Sequence, residues 1–146
     1  MSLFEYLPNL PKIPKELIGE VFNTIEGKDL FHIPNDIYKI YDANEELKKF
    51  LSNTFDRSIY NLRVHVMCAD VKIHVDHNRD VAFNYLVETG GPNVETLFHN
   101  ENDDVIEKIT IKPLIWHKLQ VTNKHSVKNI KSPRIAITVH IPHNKK

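Results

Sequence analysis

A single cysteine, Cys68, stands in the 146-residue sequence, so no intrachain disulfide can form. A disulfide-stapled scaffold is thereby excluded, and a reducing compartment suits the chain. With no activating partner near it in sequence, Cys68 is expected to be a small buried residue. Net charge is missing as well: 19 Lys and Arg balance 19 Asp and Glu. Without an excess of one sign there is no general pull on nucleic acid or anionic lipid. No apolar run approaches the roughly 18 residues that a membrane-spanning helix needs. Met1–Leu10 contains Glu5 and Pro8 and no positive residue before Lys12, unlike a secretory signal. The expectation is a cytoplasmic protein with no membrane partner and no clear nucleic-acid partner. Walker A, Gly-x-Gly-x-x-Gly and Cys-x-x-Cys patterns are also absent, which removes those nucleotide loops and zinc frameworks.

What is present fits one domain, 1–146, long enough to bury a core without staples. Its texture changes once, giving a helical N-terminal part over 1–58 and a strand-rich part over 59–146. Pro14 can open a helix in which Leu17, Val21, Phe22 and Ile25 recur at helical spacing, closed by Gly27. Pro34 separates it from a second helix. There Asp42 and Glu45 have capping-box spacing, and Leu47, Phe50 and Leu51 form one face. Short runs rich in Val, Ile, Thr and aromatics then predict strands near 62–67, 71–75, 82–87, 95–99, 105–111, 114–120, 126–127 and 134–141. Gly90-Gly91-Pro92 and Glu101–Asp104 are turns between them. Helices followed by many strands predict an α+β, mainly β, arrangement: a sandwich or barrel backed by helices.

Nine histidines are many for this length, and histidine is the commonest metal ligand. In Val71-Lys72-Ile73-His74-Val75-Asp76, apolar residues alternate with Lys72, His74 and Asp76. Alternate residues of a strand share a face, so His74 and Asp76 point the same way and can take two adjacent positions on one metal. The competing reading is a surface strand with a His–Asp hydrogen bond. A third ligand must come from His99, His117, His125, His140 or His143. In the last strand Ile135, Ile137, Val139 and Ile141 form one face, and Arg134, Ala136 and Thr138 the other. Arginine beside small Ala136 leaves room for a carboxylate, which its planar fork can grip with two bonds. Two histidines and one carboxylate on a metal leave three positions open, which suits non-haem Fe(II) oxygenases.

The segments His74-Val75-Asp76, Ala82-Phe83-Asn84-Tyr85-Leu86, His125-Ser126-Val127-x-Asn129 and Arg134-Ile135-Ala136-Ile137-Thr138 together resemble the Fe(II)- and 2-oxoglutarate-dependent dioxygenase superfamily. The likeness is to its small prolyl-hydroxylase-like and aspartyl-hydroxylase-like members, and it covers the chain from Leu62 onward. It implies a double-stranded β-helix, the jelly roll also found in cupins, with the two N-terminal helices packed on one sheet. It implies that 2-oxoglutarate and dioxygen yield succinate, carbon dioxide and an oxidised, usually hydroxylated, peptide residue or small molecule. It implies His74, Asp76 and His125 as iron ligands and Arg134 as partner of the far carboxylate of 2-oxoglutarate. Asn84 and Thr138 are further candidates for the cosubstrate. Many relatives carry serine two residues after the arginine. Here that residue is Ala136, and Thr138 lies one pleat further along.

Other residues are weighed against these. His77 points to the opposite face of a regular strand, although a bulge can re-aim a side chain. His117 is the rival to His125, and neighbouring Trp116 is core or pocket wall. Arg79 meets substrate or caps a turn. Lys108, Lys112, Lys118, Lys124, Lys128 and Lys131 are a solvated face. Two further functions use the same residues: a cupin-like metal-dependent hydrolase or isomerase, and a non-catalytic jelly-roll binding module.

Overall fold

The computed structural model describes residues 2–25, 31–32, 38–55, 61–76 and 81–140. Gly27, Pro34, His77, Arg79 and His143 lie outside the described residues.

The two helices are where their apolar spacing places them. Helix α1 spans Lys15–Ile25, and its first amides, from Leu17 and Ile18, donate to the Pro14 carbonyl. Leu17, Ile18, Val21 and Ile25 pack inward. Phe22, expected on that face, stays 40% exposed. Helix α2 spans Glu45–Thr54 and buries Leu47 and Leu51 completely. Its cap is not the Asp42–Glu45 box. Asn44 is the N-cap, its Oδ1 accepting from the Leu47 amide at 3.0 Å. Asp42 is instead committed to a strand opposite Arg63, and its carboxylate pairs with Lys48 at 3.2 Å.

The first third of the chain also contributes strands: β1 (Phe4–Tyr6), β2 (Phe31–His32) and β3 (Tyr38–Asp42). The remaining strands are β4 (Asn61–Met67), β5 (Val71–His74), β6 (Val81–Glu88), β7 (Glu95–His99), β8 (Val105–Ile109), β9 (Trp116–Gln120), β10 (His125–Lys128) and β11 (Arg134–His140). Strand β9 starts after Leu114, not at it, because Leu114 has φ 60°, which a strand does not accommodate. All pairings among the described residues are antiparallel. They form one sheet in the order β1-β9-β6-β11-β4-β3-β2 and a second in the order β5-β10-β7-β8. Two facing antiparallel sheets with helices on the outside of the larger one make a jelly roll.

The two faces of β11 explain the layering. Ile135, Ile137 and Val139 pack with Leu62, Val64 and Val66 against Val21, Leu47 and Leu51 of the helices. Trp116 belongs to this layer, and its Nε1–H donates to the Pro11 carbonyl at 3.0 Å. On the other face Ala136 joins Ala82, Leu86, Phe98, Ile111, Leu119 and Val121 between the sheets. That second layer is incompletely filled, and the space left is the site. Cys68 departs from expectation: it is exposed.

Candidate metal centre and carboxylate pocket

A cavity of about 600 Å³ lies between the sheets. It is lined by His74, Asp76 and His125 from one side and by Asn84, His117, Arg134 and Thr138 from the other. Its size is in the ordinary range for small-molecule sites.

Strand β5 ends at His74, and Asp76 follows just beyond it, held by its backbone amide on the Val121 carbonyl at 2.9 Å. His125 opens β10 and is the direct cross-strand partner of His74. The two imidazole centroids are 4.2 Å apart. His74 Nε2 lies 3.6 Å and His125 Nε2 lies 3.7 Å from Asp76 Oδ1. One ligand atom from each residue falls within 4.8 Å of the others, a cluster that could hold a metal ion.

Both rings are oriented by the same local device. His74 Nδ1 is 2.8 Å from the Lys72 carbonyl, and His125 Nδ1 is 2.7 Å from the Asn123 carbonyl. A carbonyl only accepts, so Nδ1 carries the proton in each ring. Nε2 of each ring is thereby left facing Asp76, and it is the atom that a divalent cation would take. The donor chemistry, two neutral imidazoles and one carboxylate, fits Fe(II) with open positions.

Arg134 enters the same cavity from the first residue of β11 and is 4% exposed. Its Nη1 donates to the Thr89 carbonyl at 2.8 Å and its Nη2 to Thr96 Oγ1 at 3.5 Å. Among the described residues no carboxylate pairs with it. Burial pushes its pKa down to about 10, while Tyr38 opposes that shift. It remains a cation at neutral pH. A buried cation with no counter-ion is costly, and an anion bound in the cavity would offset that cost. Gly90 makes this placement possible: it has φ +89°, and a Cβ there would lie 2.9 Å from Arg134 Cβ.

The other candidates separate cleanly. His117, 1% exposed, lies in the larger sheet opposite Asn84 and is not part of the three-residue cluster. Burial, reinforced by the Arg134 cation, lowers its pKa to about 4, so it is neutral. Its Nδ1 and the Oδ1 of Asn84 are buried with no hydrogen-bond partner among the described residues. Thr138 is the other cross-strand neighbour of Asn84. His99 is structural, with Nε2 2.8 Å from Ser126 Oγ and Nδ1 3.1 Å from the Asp103 carbonyl. Among the lysines, Lys118 and Lys124 pair with Glu5 and Asp103. Sequence reasoning missed Tyr38 and His65, which also line the cavity. The alternation of Tyr38 and Ile40 about Lys39 was the available signal for the strand that carries Tyr38.

Several solved structures share this architecture. A prolyl hydroxylase from Trichoplax adhaerens, in complex with a hypoxia inducible factor oxygen degradation domain peptide, aligns over 93% of this chain and 81% of its own, with 19% identity and TM-score 0.63. An oxidoreductase of the 2OG-Fe(II) oxygenase family from Burkholderia pseudomallei aligns over 99% of this chain and 88% of its own, with 9% identity and TM-score 0.61. Oxalate decarboxylase from Bacillus subtilis, with Mn(II) centres, aligns over 80% of this chain and 28% of its own, with 12% identity and TM-score 0.50. No protein-family model and no curated protein matches the chain. The likeness is one of fold: the chain has the jelly roll of the Fe(II)/2-oxoglutarate oxygenases and of the cupins. No helix among the described residues is long and apolar enough to cross a membrane.

Proposed function

We propose that this chain, acting as one domain over 1–146, is a non-haem Fe(II)- and 2-oxoglutarate-dependent dioxygenase. It oxidises, by hydroxylation, a peptide residue or a small molecule, with release of succinate and carbon dioxide. His74, Asp76 and His125 hold the iron, Arg134 binds the distal carboxylate of 2-oxoglutarate, and Asn84 and Thr138 border the cosubstrate. The lone exposed Cys68 suits a cytoplasmic setting.

The observation that carries this reading is the juxtaposition, in one cavity, of a His-Asp-His cluster with a buried arginine that has no acidic partner among the described residues. Bound there, Fe(II) supplies dioxygen activation coupled to oxidative decarboxylation of the keto acid. The protein supplies orientation and charge. The Lys72 and Asn123 carbonyls fix the two rings. Thr89 and Thr96 fix the guanidinium plane, leaving its remaining N–H groups for a carboxylate. Leu86, Leu119 and Val121 line the cavity with apolar surface, which strengthens each polar contact inside it.

A cupin-like hydrolase or isomerase uses the three ligands but has no need of Arg134, and a non-catalytic module needs neither. The deciding experiment is anaerobic addition of 2-oxoglutarate to the Fe(II)-loaded protein. A weak visible charge-transfer band and slow uncoupled succinate formation are expected. Absence of both sinks the proposal.

A further inference from the structure

The inner face of the smaller sheet carries His125 on β10 opposite Phe98 on β7. The next residue on each strand, Ser126 and His99, points to the outer face, and neither lines the cavity. Both are buried, and the reading above makes no use of them.

His99 nevertheless holds the chain on both sides of His125. Upstream, its backbone amide donates to the Lys124 carbonyl at 2.9 Å, and its backbone carbonyl accepts from Asn123 Nδ2 at 3.2 Å. Asn123 is the residue whose own carbonyl fixes the His125 ring. Downstream, His99 Nε2 is 2.8 Å from Ser126 Oγ. The imidazole is anchored in its turn, with Nδ1 3.1 Å from the Asp103 carbonyl. A carbonyl only accepts, so Nδ1 carries the proton and Nε2 accepts from the Ser126 hydroxyl. The loop that supplies that carbonyl is braced as well. Asn100 Oδ1 accepts from the amides of Asn102 and Asp104 at 2.9 and 3.0 Å. Asp103 stands at φ 67°, a left-handed conformation that Asp tolerates, and its carboxylate pairs with Lys124 Nζ at 2.9 Å. The loop, His99 and residues 123–126 thus form one hydrogen-bonded unit, with His125 at its inner side.

We infer that His99 and Ser126 are positioning residues of the metal centre, which hold His125 on the ion from the far side of the sheet. The inference rests on the assignment of His125 as a ligand. His125 is the first residue of β10, where the ladder ends and strand pairing alone restrains the chain least. His74 stands on an edge strand with its side chain 41% exposed. A metal site needs its ligands held to within about 0.5 Å, and the braced His125 supplies the fixed point.

The test is Co(II) binding, followed by calorimetry and by the visible ligand-field bands, which report ligand geometry. The wild type is expected to bind Co(II). Ser126→Ala and His99→Leu should each weaken it by about tenfold and shift the bands, the effect of removing a group behind a metal ligand. The double variant should lose no more than His99→Leu alone, because the two side chains act through one shared bond. Ser126→Thr, which keeps the hydroxyl, should restore both affinity and spectrum. Val21→Ala, beneath the helices of the other sheet, should lower the melting temperature and leave Co(II) affinity unchanged. Should His99→Leu not fold, Ser126→Ala carries the comparison. Variants that melt earlier but bind Co(II) with wild-type affinity and spectrum overturn the inference and leave His125 a ligand. A wild type that takes up no Co(II), or undiminished binding by His125→Ala, overturns the ligand assignment as well.

Discussion

His74 and His125 are direct cross-strand partners on β5 and β10, with their rings 4.2 Å apart and both Nε2 atoms within 3.7 Å of Asp76 Oδ1. Residues paired in this way sit side by side on one face of a sheet. This pairing, across fifty residues of sequence, is what singles out His125 from the other histidines.

Removing His125 should therefore remove the metal site. His125→Ala is expected to lower Fe(II) occupancy after gentle purification to less than about one tenth of the wild-type value, in line with the sensitivity of such sites to their ligands. His117→Phe should leave occupancy unchanged. Metal analysis decides between the two histidines, and loss of iron in the His117 variant alone would refute the assignment.

Arg134→Leu removes a buried cation that has no acidic partner among the described residues. Its apo form should be as stable as the wild type or more so, because no uncompensated charge remains. It should lose the stabilisation that 2-oxoglutarate gives, about 2.7 kcal/mol at a hundred times Kd. Urea titrations with and without the keto acid measure both effects.

His117 predicts a pH dependence. Its pKa is about 4 folded, against 6.5 for an unperturbed histidine. Between those values the unfolded chain binds more protons than the folded one, so stability rises with pH there. The contribution is complete above pH 6.5 and is lost as pH falls towards 4, on the order of 3 kcal/mol in all. The difference between wild type and His117→Phe across that window isolates this histidine from the carboxylates.

Gly90→Ala should damage the carboxylate pocket from outside it. The left-handed φ of +89° disfavours a side chain, and the new Cβ would press on Arg134 Cβ at 2.9 Å. A loss of about 1–3 kcal/mol in urea is expected, together with weaker 2-oxoglutarate binding. A variant of wild-type stability and affinity would show that the backbone yields there.

Much of this was legible in the sequence because it is local. Alternation along β11 sorted Ile135, Ile137 and Val139 from Arg134, Ala136 and Thr138, and the structure sends the first set to the helices and the second to the cavity. The short β-rich runs located every strand from β4 to β11, and turn residues marked Gly90 and Gly91. Local rules failed where two residues competed for one role. Asp42 and Asn44 both suit a helix cap, and pairing of β3 with β4 left the role to Asn44.

The sequence by itself determined which residues share a face of a strand, because the two-residue repeat of extended backbone needs no partner. The pairing of His125, and not another histidine, with His74 and the lack of an acid beside Arg134 among the described residues were decided only by tertiary structure. Each depends on register between strands far apart in the chain. Register is set by how the whole set of side chains packs between the sheets and under the helices.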